Sequence, residues 1–335
     1  MSDVVVHRER PADDPTQPRA DMTTRIGQLT LPNPLMTASG CAAAGRELHQ
    51  FFDVAELGAV VTKSVMAAPR SGRDTPRMAE TDSGMLNSIG LQGPGIEAFV
   101  ENDLAWLRSV GARAVVSIAG SSVEEYHHLA TRLADEPGVA AIEVNISCPN
   151  VANRGLVFAC DPAASSSVVA AVRAVTPPHV PVMAKLSPDV TDIVAVAAAC
   201  LEAGADALVM INTLLGISID VDRMRPRLAG LTGGLSGPAV RPVAVRCVWQ
   251  VHAAMRAGRL RAAPIVGVGG VRTGLDALEL VLAGAAAVQV GTVAFHDPSA
   301  PLRVRDELSE ALGDRGFGSF ADAVGYAHDV LEGKR

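Results

Sequence analysis

The sequence predicts an α/β fold: a single-domain (β/α)8 barrel of the TIM type. Eight short apolar runs, rich in β-branched residues, alternate with amphipathic segments of helical periodicity along the whole chain. No linker-like break divides the 335 residues, and barrels of this kind reach such lengths as one domain. The alternation of strands and helices and the lack of a linker together favour a barrel over a doubly wound sheet.

The predicted elements follow one another in strict order. The strand candidates are residues 34–39, 59–64, 112–118, 140–146, 180–186, 207–212, 264–267 and 287–290. The helical segments between them are residues 46–57, 96–110, 123–135, 163–175, 192–203, 239–257 and 275–283. Asp192 and Thr273 stand at N-cap positions, and Gly204 and Gly284 stand where helices should end.

Both ends of the chain differ from this alternation. Residues 1–23 are polar, charged and proline-containing, which predicts a flexible leader ahead of a barrel domain at 24–335. Residues 25–31 predict a short hairpin that closes the N-terminal end of the barrel. The residues after Ser319 predict a last surface helix.

Composition limits the function classes. A formal net charge of −7 without a compensating basic run argues against nonspecific nucleic-acid binding. Five cysteines without a Cys-x-x-Cys pair fit a reducing compartment and argue against an iron–sulfur cluster on this chain. No run has the length of a signal-peptide core or a membrane span, so we expect a cytoplasmic protein without membrane contact.

The carboxyl ends of the predicted strands carry small or polar residues. Active sites of (β/α)8 barrels lie at these ends and in the loops that follow. Two lysines, Lys63 and Lys185, and two asparagines, Asn145 and Asn212, should therefore point into one mouth. Packing alone does not explain this convergence.

Cys148 lies in the run Asn-Ile-Ser-Cys-Pro-Asn at 145–150, directly after a buried strand. A cysteine there can be a nucleophile, a metal ligand or a general base. The strand ends offer no further metal ligands, so no metal site is predicted. The histidines fall in helices or near the termini, which disfavours a cysteine hydrolase. A base or acid acting on carbon beside a flavin fits best.

Lys185 ends an apolar strand, where an ammonium group is costly to bury without a partner. A structural ion pair is the alternative, but the strand ends offer no obvious acid. We therefore expect Lys185 to face a bound group and to stabilise negative charge on the pyrimidine ring of a reduced flavin. Lys63 is placed to contact a cofactor edge and a substrate carboxylate.

Two loop regions complete the predicted site. Glycines after strands seven and eight suggest a phosphate cradle, to which a following helix N-terminus would add its dipole: Gly269, Gly270, Gly291 and Thr292. The long loop at 85–95 contains Asn87. Together with Asn145 and Asn212, this amide can recognise the donors and acceptors of a planar imide ring.

These motifs resemble the dihydroorotate dehydrogenases. The resemblance rests on residues 145–150, the loop at 87–91, Lys-Leu-Ser-Pro at 185–188, Met-Ile-Asn-Thr at 210–213, Thr-Gly-Gly-Leu-Ser-Gly at 232–237 and the glycines at 267–270. Cysteine rather than serine at position 148 is similar to class 1, the soluble group. The continuation at 151–158 is similar to the NAD-linked class 1B.

The resemblance implies a role for each residue. Cys148 would remove a proton from C5 of dihydroorotate while a hydride passes from C6 to N5 of FMN. Substrate would be held by Lys63, Asn87, Ser88, Ile89, Gly90, Leu91, Asn145, Asn212 and Thr213. FMN would be held by Ser39, Lys63, Ser64, Ser117, Asn145, Lys185, Ile211 and Gly237, with Gly269, Gly270, Gly291 and Thr292 at its phosphate. Ser117 departs from the family's usual asparagine, so its contact with FMN is lost or mediated by water.

The resemblance also implies cofactors and partners. One FMN per chain is expected, with FAD and a [2Fe–2S] cluster only on a partner electron-transfer subunit. A homodimer is expected, which with that subunit becomes a heterotetramer; the product, orotate, serves pyrimidine synthesis. The alternatives are a flavin-dependent enzyme like dihydropyrimidine dehydrogenase, a fumarate-linked class 1A dihydroorotate dehydrogenase, and a non-catalytic flavin-binding scaffold.

Overall fold

Eight parallel strands form the centre of the molecule. The computed structural model describes residues 20–146 and 161–334. In chain order the strands are Leu35–Thr37, Val60–Val61, Ala114–Ile118, Val139–Asn145, Val182–Leu186, Ala207–Met210, Ile265–Val268 and Ala287–Val290. Strand eight pairs with strand one, and a parallel bridge between Met36 and Ala59 joins strands one and two. The sheet therefore closes, and the predicted (β/α)8 barrel is confirmed.

The barrel interior is packed at its N-terminal end. The antiparallel strands Thr24–Ile26 and Leu29–Leu31 form the predicted hairpin. Its fully buried Ile26 and Leu31 pack with inward side chains of the barrel strands, among them Met36, Val61 and Met183. This layer closes the barrel opposite the mouth, and a second apolar layer lies between the strands and the helices.

The helices agree with most of the predicted segments. In chain order they are Ile96–Ala98 and Ala105–Ser109, joined by a π-helical stretch at Phe99–Leu104, then Val123–Leu133, Pro162–Val175, Ile193–Glu202, Arg241–Arg256, Gly274–Leu282, Ala300–Gly313, Phe320–Ala323 and Tyr326–Leu331. Asp192 and Thr273 cap their helices through side-chain hydrogen bonds. Gly204 and Gly284 adopt the positive φ angles, +101° and +123°, expected after a helix.

Two helix predictions were wrong, and one further helix was not anticipated. Residues 46–57 do not form a helix but two 3-10 turns, Leu48–Gln50 and Val54–Glu56. The Asp53 side chain accepts a hydrogen bond from Ala55 N and starts the second turn, which interrupts the helical pattern. The helix Ala300–Gly313 was not anticipated, and the surface helix expected after Ser319 is two short ones.

The loops after strands two and six build a second sheet that the sequence analysis did not anticipate. Its antiparallel strands are, in spatial order, Leu214–Ile217, Thr232–Ser236, Gly84–Asn87 and Met78–Thr81. A separate small ribbon, Ile219–Asp220 with Arg225–Pro226, lies in the loop between Leu214–Ile217 and Thr232–Ser236. Asn87 pairs in register with Gly234, so the sheet ties the two loops together beside the barrel mouth.

The end of the predicted leader lies against the C-terminal region. Asp21 N donates to Gly318 O at 3.0 Å, and Phe320 N donates to Asp21 O at 2.7 Å. For residues 1–19 the leader stays a prediction, since they lie outside the described residues. Within 20–146 and 161–334, no helix has both the length and the apolarity needed to cross a membrane.

Candidate active site

A cavity of about 800 Å³ opens at the carboxyl ends of the barrel strands and is partly covered by the second sheet. This volume lies in the usual range of about 300–1,000 Å³ for cofactor and ligand sites. Of the predicted site residues, those lining the cavity are Ser39, Lys63, Ser64, Asn87, Ile89, Gly90, Leu91, Asn145, Lys185, Ile211, Asn212, Thr213, Gly237, Gly269, Gly270, Gly291 and Thr292. Strand ends that are distant in sequence thus meet in one place.

Amides and hydroxyls form a continuous network on the cavity wall. Asn212 Nδ2 donates to Asn145 Oδ1 at 3.1 Å, and Asn145 Nδ2 donates to Ser64 Oγ at 2.9 Å. Thr213 N donates to Asn212 Oδ1 at 2.8 Å. These bonds fix the amide orientations, so each asparagine presents a defined edge to a ligand.

Asn87 joins this wall from the second sheet. Its Nδ2 donates to Gly234 O at 3.2 Å. The following loop turns back sharply, with positive φ angles at Gly90 and Leu91, and Ser88 Oγ accepts a hydrogen bond from Arg73 at 3.1 Å. Ser88 is buried and does not line the cavity, so it supports the loop that carries Asn87.

Ser117 lies one layer behind the cavity. It is fully buried, and its Oγ is 2.9 Å from Ser64 Oγ, which is also 3.3 Å from Ser39 Oγ. The short serine side chain therefore reaches the cavity wall through Ser64, which itself lines the cavity. Ser117, predicted among the FMN-binding residues, does not itself line the cavity.

The expectation that no acid accompanies Lys185 was wrong. Glu143, fully buried on strand four, places Oε1 3.4 Å from Lys185 Nζ. Gln289 on strand eight donates from Nε2 to Glu143 Oε2 at 2.7 Å. The sequence contained a signal for Glu143, because a charged residue two positions before Asn145 shares its strand face. Lys185 has an ion-pair partner and also lines the cavity.

The glycines expected at a phosphate lie close together. Gly237, Gly269 and Gly270 all have positive φ angles, and a Cβ on Gly270 would lie 3.0 Å from Gly237 O. Gly291 precedes a single 3-10 turn, Thr292–Phe295, rather than the predicted helix. Arg272 and His296, which the sequence analysis did not single out, add cationic or protonatable groups to the cavity lining.

Cys41, in the loop after strand one, contributes a thiol to the cavity lining. Burial raises its pKa to about 11, against the opposing effect of the nearby Lys185 and Lys63 ammonium groups. The thiol is therefore protonated at neutral pH. Cys148, the predicted catalytic residue, lies outside the described residues, and its role stays a prediction.

The cavity residues fit a flavin mononucleotide. Polar amides and a lysine line one part, closely packed glycines another, and both are joined in one continuous cavity. Gln289 also lines it, and its buried Oε1 has no hydrogen-bond partner among the described residues. FMN has a polar ring edge, a phosphate and a hydroxylated chain. These three parts match, in the same order, the amides with the lysine, the closely packed glycines, and the acceptor oxygen of Gln289.

Comparison with known proteins decides the family. The family model described as dihydroorotate dehydrogenase matches residues 21–312. The chain belongs to the dihydroorotate dehydrogenase family. It is accordingly an oxidoreductase, and the resemblance seen in its motifs is confirmed.

Members of the dihydroorotate dehydrogenase family with closely similar sequences include two named catalytic subunits of dihydroorotate dehydrogenase B (NAD(+)). The protein from Geobacter sulfurreducens is 50% identical over 307 residues, covering 92% of this chain and 98% of that relative. The protein from Trichlorobacter lovleyi is 50% identical over 312 residues, covering 93% and 99%. The crystal structure of DHODH in complex with ferulenol from Eimeria tenella has a TM-score of 0.76 at 24% identity, covering 94% of this chain and 90% of that chain. This last likeness shows the shared fold.

Proposed function

We propose that this chain oxidises dihydroorotate to orotate with bound FMN, as the catalytic subunit of an NAD-linked dihydroorotate dehydrogenase. The observation that carries the proposal is the convergence of Asn87, Asn145 and Asn212 with Lys63 in the cavity that Lys185 also lines. The names of the two bacterial relatives, both catalytic subunits, support the same activity. Orotate so formed would serve pyrimidine synthesis in the cytoplasm.

In this proposal the protein's own residues bind, orient and deprotonate the substrate. The three asparagines bind the ring amides of dihydroorotate, because each offers a donor and an acceptor. Lys63 binds the carboxylate, while Thr213 and residues 89–91, which line the cavity, close the substrate position. Cys148 accepts the C5 proton, which orientation and mildly alkaline pH favour for a thiol with an ordinary pKa of about 8.5.

FMN supplies the acceptor for the hydride that leaves C6. Ser39, Ser64, Asn145, Ile211 and the Lys185 ammonium would hold its ring, and the glycines at 237, 269, 270 and 291 with Thr292 would hold its phosphate. Ser117 would act only through Ser64. Yellow colour and FMN absorbance in the purified chain test this part, and colourless protein that binds no added FMN would contradict it.

The alternative in the same site is a dihydropyrimidine reaction without a carboxylate. A substrate panel separates the two, because Lys63 contributes binding energy only when the substrate carries an anion. We expect turnover of dihydroorotate and negligible turnover of dihydrouracil, with Lys63→Met raising KM for dihydroorotate. Turnover of dihydrouracil alone would overturn the proposed substrate. Cys148→Ala with unchanged turnover would overturn the proposed base.

We further propose that the chain forms a homodimer that carries an electron-transfer subunit with FAD and a [2Fe–2S] cluster. The relatives are named as catalytic subunits, which implies such a partner. Residues 214–224, in the loop after strand six, expose large apolar side chains, including Ile217, Val221 and Met224. Exposed apolar patches of this kind are typical of protein interfaces. Co-expression with a candidate partner should give a complex that reduces NAD. A chain that stays monomeric and reduces fumarate directly would contradict this assembly.

A further inference from the structure

A buried acid lies behind the lysine of the proposed flavin site. The Glu143 carboxylate contacts the Lys185 ammonium at 3.4 Å through Oε1 and accepts from Gln289 Nε2 at 2.7 Å through Oε2. The exposed fraction is 0% for Glu143, 4% for Lys185 and 1% for Gln289. Lys185 and Gln289 line the cavity and Glu143 does not. The acid can therefore act on a ligand only through these two neighbours and through its charge.

Barrel strands four, five and eight hold the Glu143 carboxylate in place. Asn145 and Lys185 are paired in register across strands four and five, and Glu143 lies two residues before Asn145 on the same inward face. Because Gln289 turns its amide nitrogen to the carboxylate, its Oε1 is oriented too. The carboxylate is consequently fixed by the barrel backbone rather than by a loop.

The contact between Glu143 and Lys185 is longer than a strong charge-assisted bond, which measures about 2.7–2.9 Å. An ammonium group has three donors, and the single contact with Glu143 uses one of them. The pair thus offsets a buried positive charge without using up the lysine's hydrogen-bonding capacity. A ligand in the cavity would meet a lysine that still donates but whose charge is largely balanced.

We infer that Glu143 is a positioning residue that holds Lys185 against the flavin and, by offsetting its charge, lowers the reduction potential of bound FMN. This inference rests on the proposed function. Dihydroorotate gives two electrons to the flavin, and reduced flavin carries additional negative charge near its pyrimidine ring. An unbalanced cation there stabilises the reduced form, whereas a nearby carboxylate opposes that stabilisation. Removing the carboxylate should therefore favour reduction.

The test is the midpoint potential of bound FMN in Glu143→Gln, measured by anaerobic reduction against a reference dye. Glutamine keeps the shape and removes the charge. We expect the equilibrium between oxidised and reduced flavin to shift about tenfold toward reduced, which is about 30 mV for a two-electron couple. Glu97→Gln is the control, because it removes an equal charge from a carboxylate whose side chain is 62% exposed, and we expect no shift.

A second variant separates charge from position. Glu143→Asp keeps the charge but withdraws it by one methylene, so a smaller shift in the same direction is expected. If Glu143→Gln does not fold, Glu143→Asp alone decides the question. Folded variants that bind FMN at the wild-type potential would overturn the inference, as would a shift toward oxidised flavin. A wild-type chain that binds no FMN would instead overturn the proposed function.

Discussion

Ser64 connects three polar residues of the site. Its hydroxyl contacts Ser39, Ser117 and the Asn145 amide within 3.3 Å. Ser64→Ala would remove the hydrogen bond from Asn145 Nδ2 to Ser64 Oγ, and the loss of one such bond costs about 0.5–1.5 kcal/mol. We expect about tenfold weaker binding of FMN or orotate in fluorescence titrations.

A buried serine away from the cavity provides the control for Ser64→Ala. Ser165 is fully buried in the helix Pro162–Val175, so Ser165→Ala tests the effect of losing a buried hydroxyl on folding alone. Its ligand affinities should equal those of the wild type. Equal affinities in both variants would contradict a role for Ser64 in orienting Asn145.

Single residues also show how far the sequence could predict the site. Lysines and asparagines at strand ends were predictable, because barrel topology brings all such ends together. Glu143 was missed because it precedes the strand end and belongs to an otherwise apolar run. Its pairing with Lys185 depends on the register between two strands, which the residue pattern of each strand does not contain.

The contact between the helices Gly274–Leu282 and Ala300–Gly313 depends on a glycine. A Cβ on Gly274 would lie 2.4 Å from the backbone of Glu307 and Leu308, and no positive φ is involved. Gly274→Ala should force the helices apart and lower the free energy of unfolding by about 1–3 kcal/mol. Chemical denaturation measures this loss.

Gly318→Ala is the matched control for the helix contact. Its Cβ would meet only Asp322 Oδ2, at 3.9 Å, and its φ is also not positive. We expect its unfolding free energy to stay within about 0.5 kcal/mol of the wild type. Equal losses of unfolding free energy in the two alanine variants would mean that the contact between the helices is not the cause of the destabilisation.

Two histidines lie where the helix Tyr326–Leu331 packs. The His328 ring stacks on the Trp249 ring with centroids 3.5 Å apart. The centroid of the His252 ring lies 4.8 Å from that of His328. Burial is the main cause that lowers the pKa of both; for His252 it falls to about 4. The stability from a neutral His252 is present above its unfolded pKa of about 6.5 and is lost as pH falls toward 4.

Thermal unfolding between pH 7 and pH 4 tests this pH dependence. The pKa difference of His252 corresponds to about 3 kcal/mol, which solvent screening of the partly exposed ring reduces to about 1–2 kcal/mol. His252→Gln cannot take up the proton, so its unfolding temperature should fall less steeply with acidification. Parallel curves for the variant and the wild type would contradict the assignment to His252.

Secondary-structure elements were predictable where their signals are local. Asp192 and Thr273 identified helix starts correctly because capping needs only neighbouring residues. The segment at 46–57 shows the limit, since the Asp53 side chain capped a new turn inside an apparently amphipathic pattern. The second sheet was unpredictable for another reason: Asn87 and Gly234 pair across 147 residues of chain.

The barrel architecture of the molecule follows from the alternation of strands and helices. Eight strand candidates gave eight barrel strands, and the hairpin ending at Leu31 fills the closed end of the interior. The cavity therefore lies at the opposite end, where the strand termini carry the polar residues. In the proposed function, substrate and flavin lie against each other in this cavity, which is the central claim about function.

Anaerobic reduction of the flavin tests that claim most directly. The purified chain with bound FMN is mixed with dihydroorotate, and the flavin absorbance is followed together with orotate formation. We predict rapid bleaching with one orotate formed per flavin, without any partner subunit. A bound flavin that stays oxidised in excess dihydroorotate would contradict the proposed substrate and the arrangement of the site.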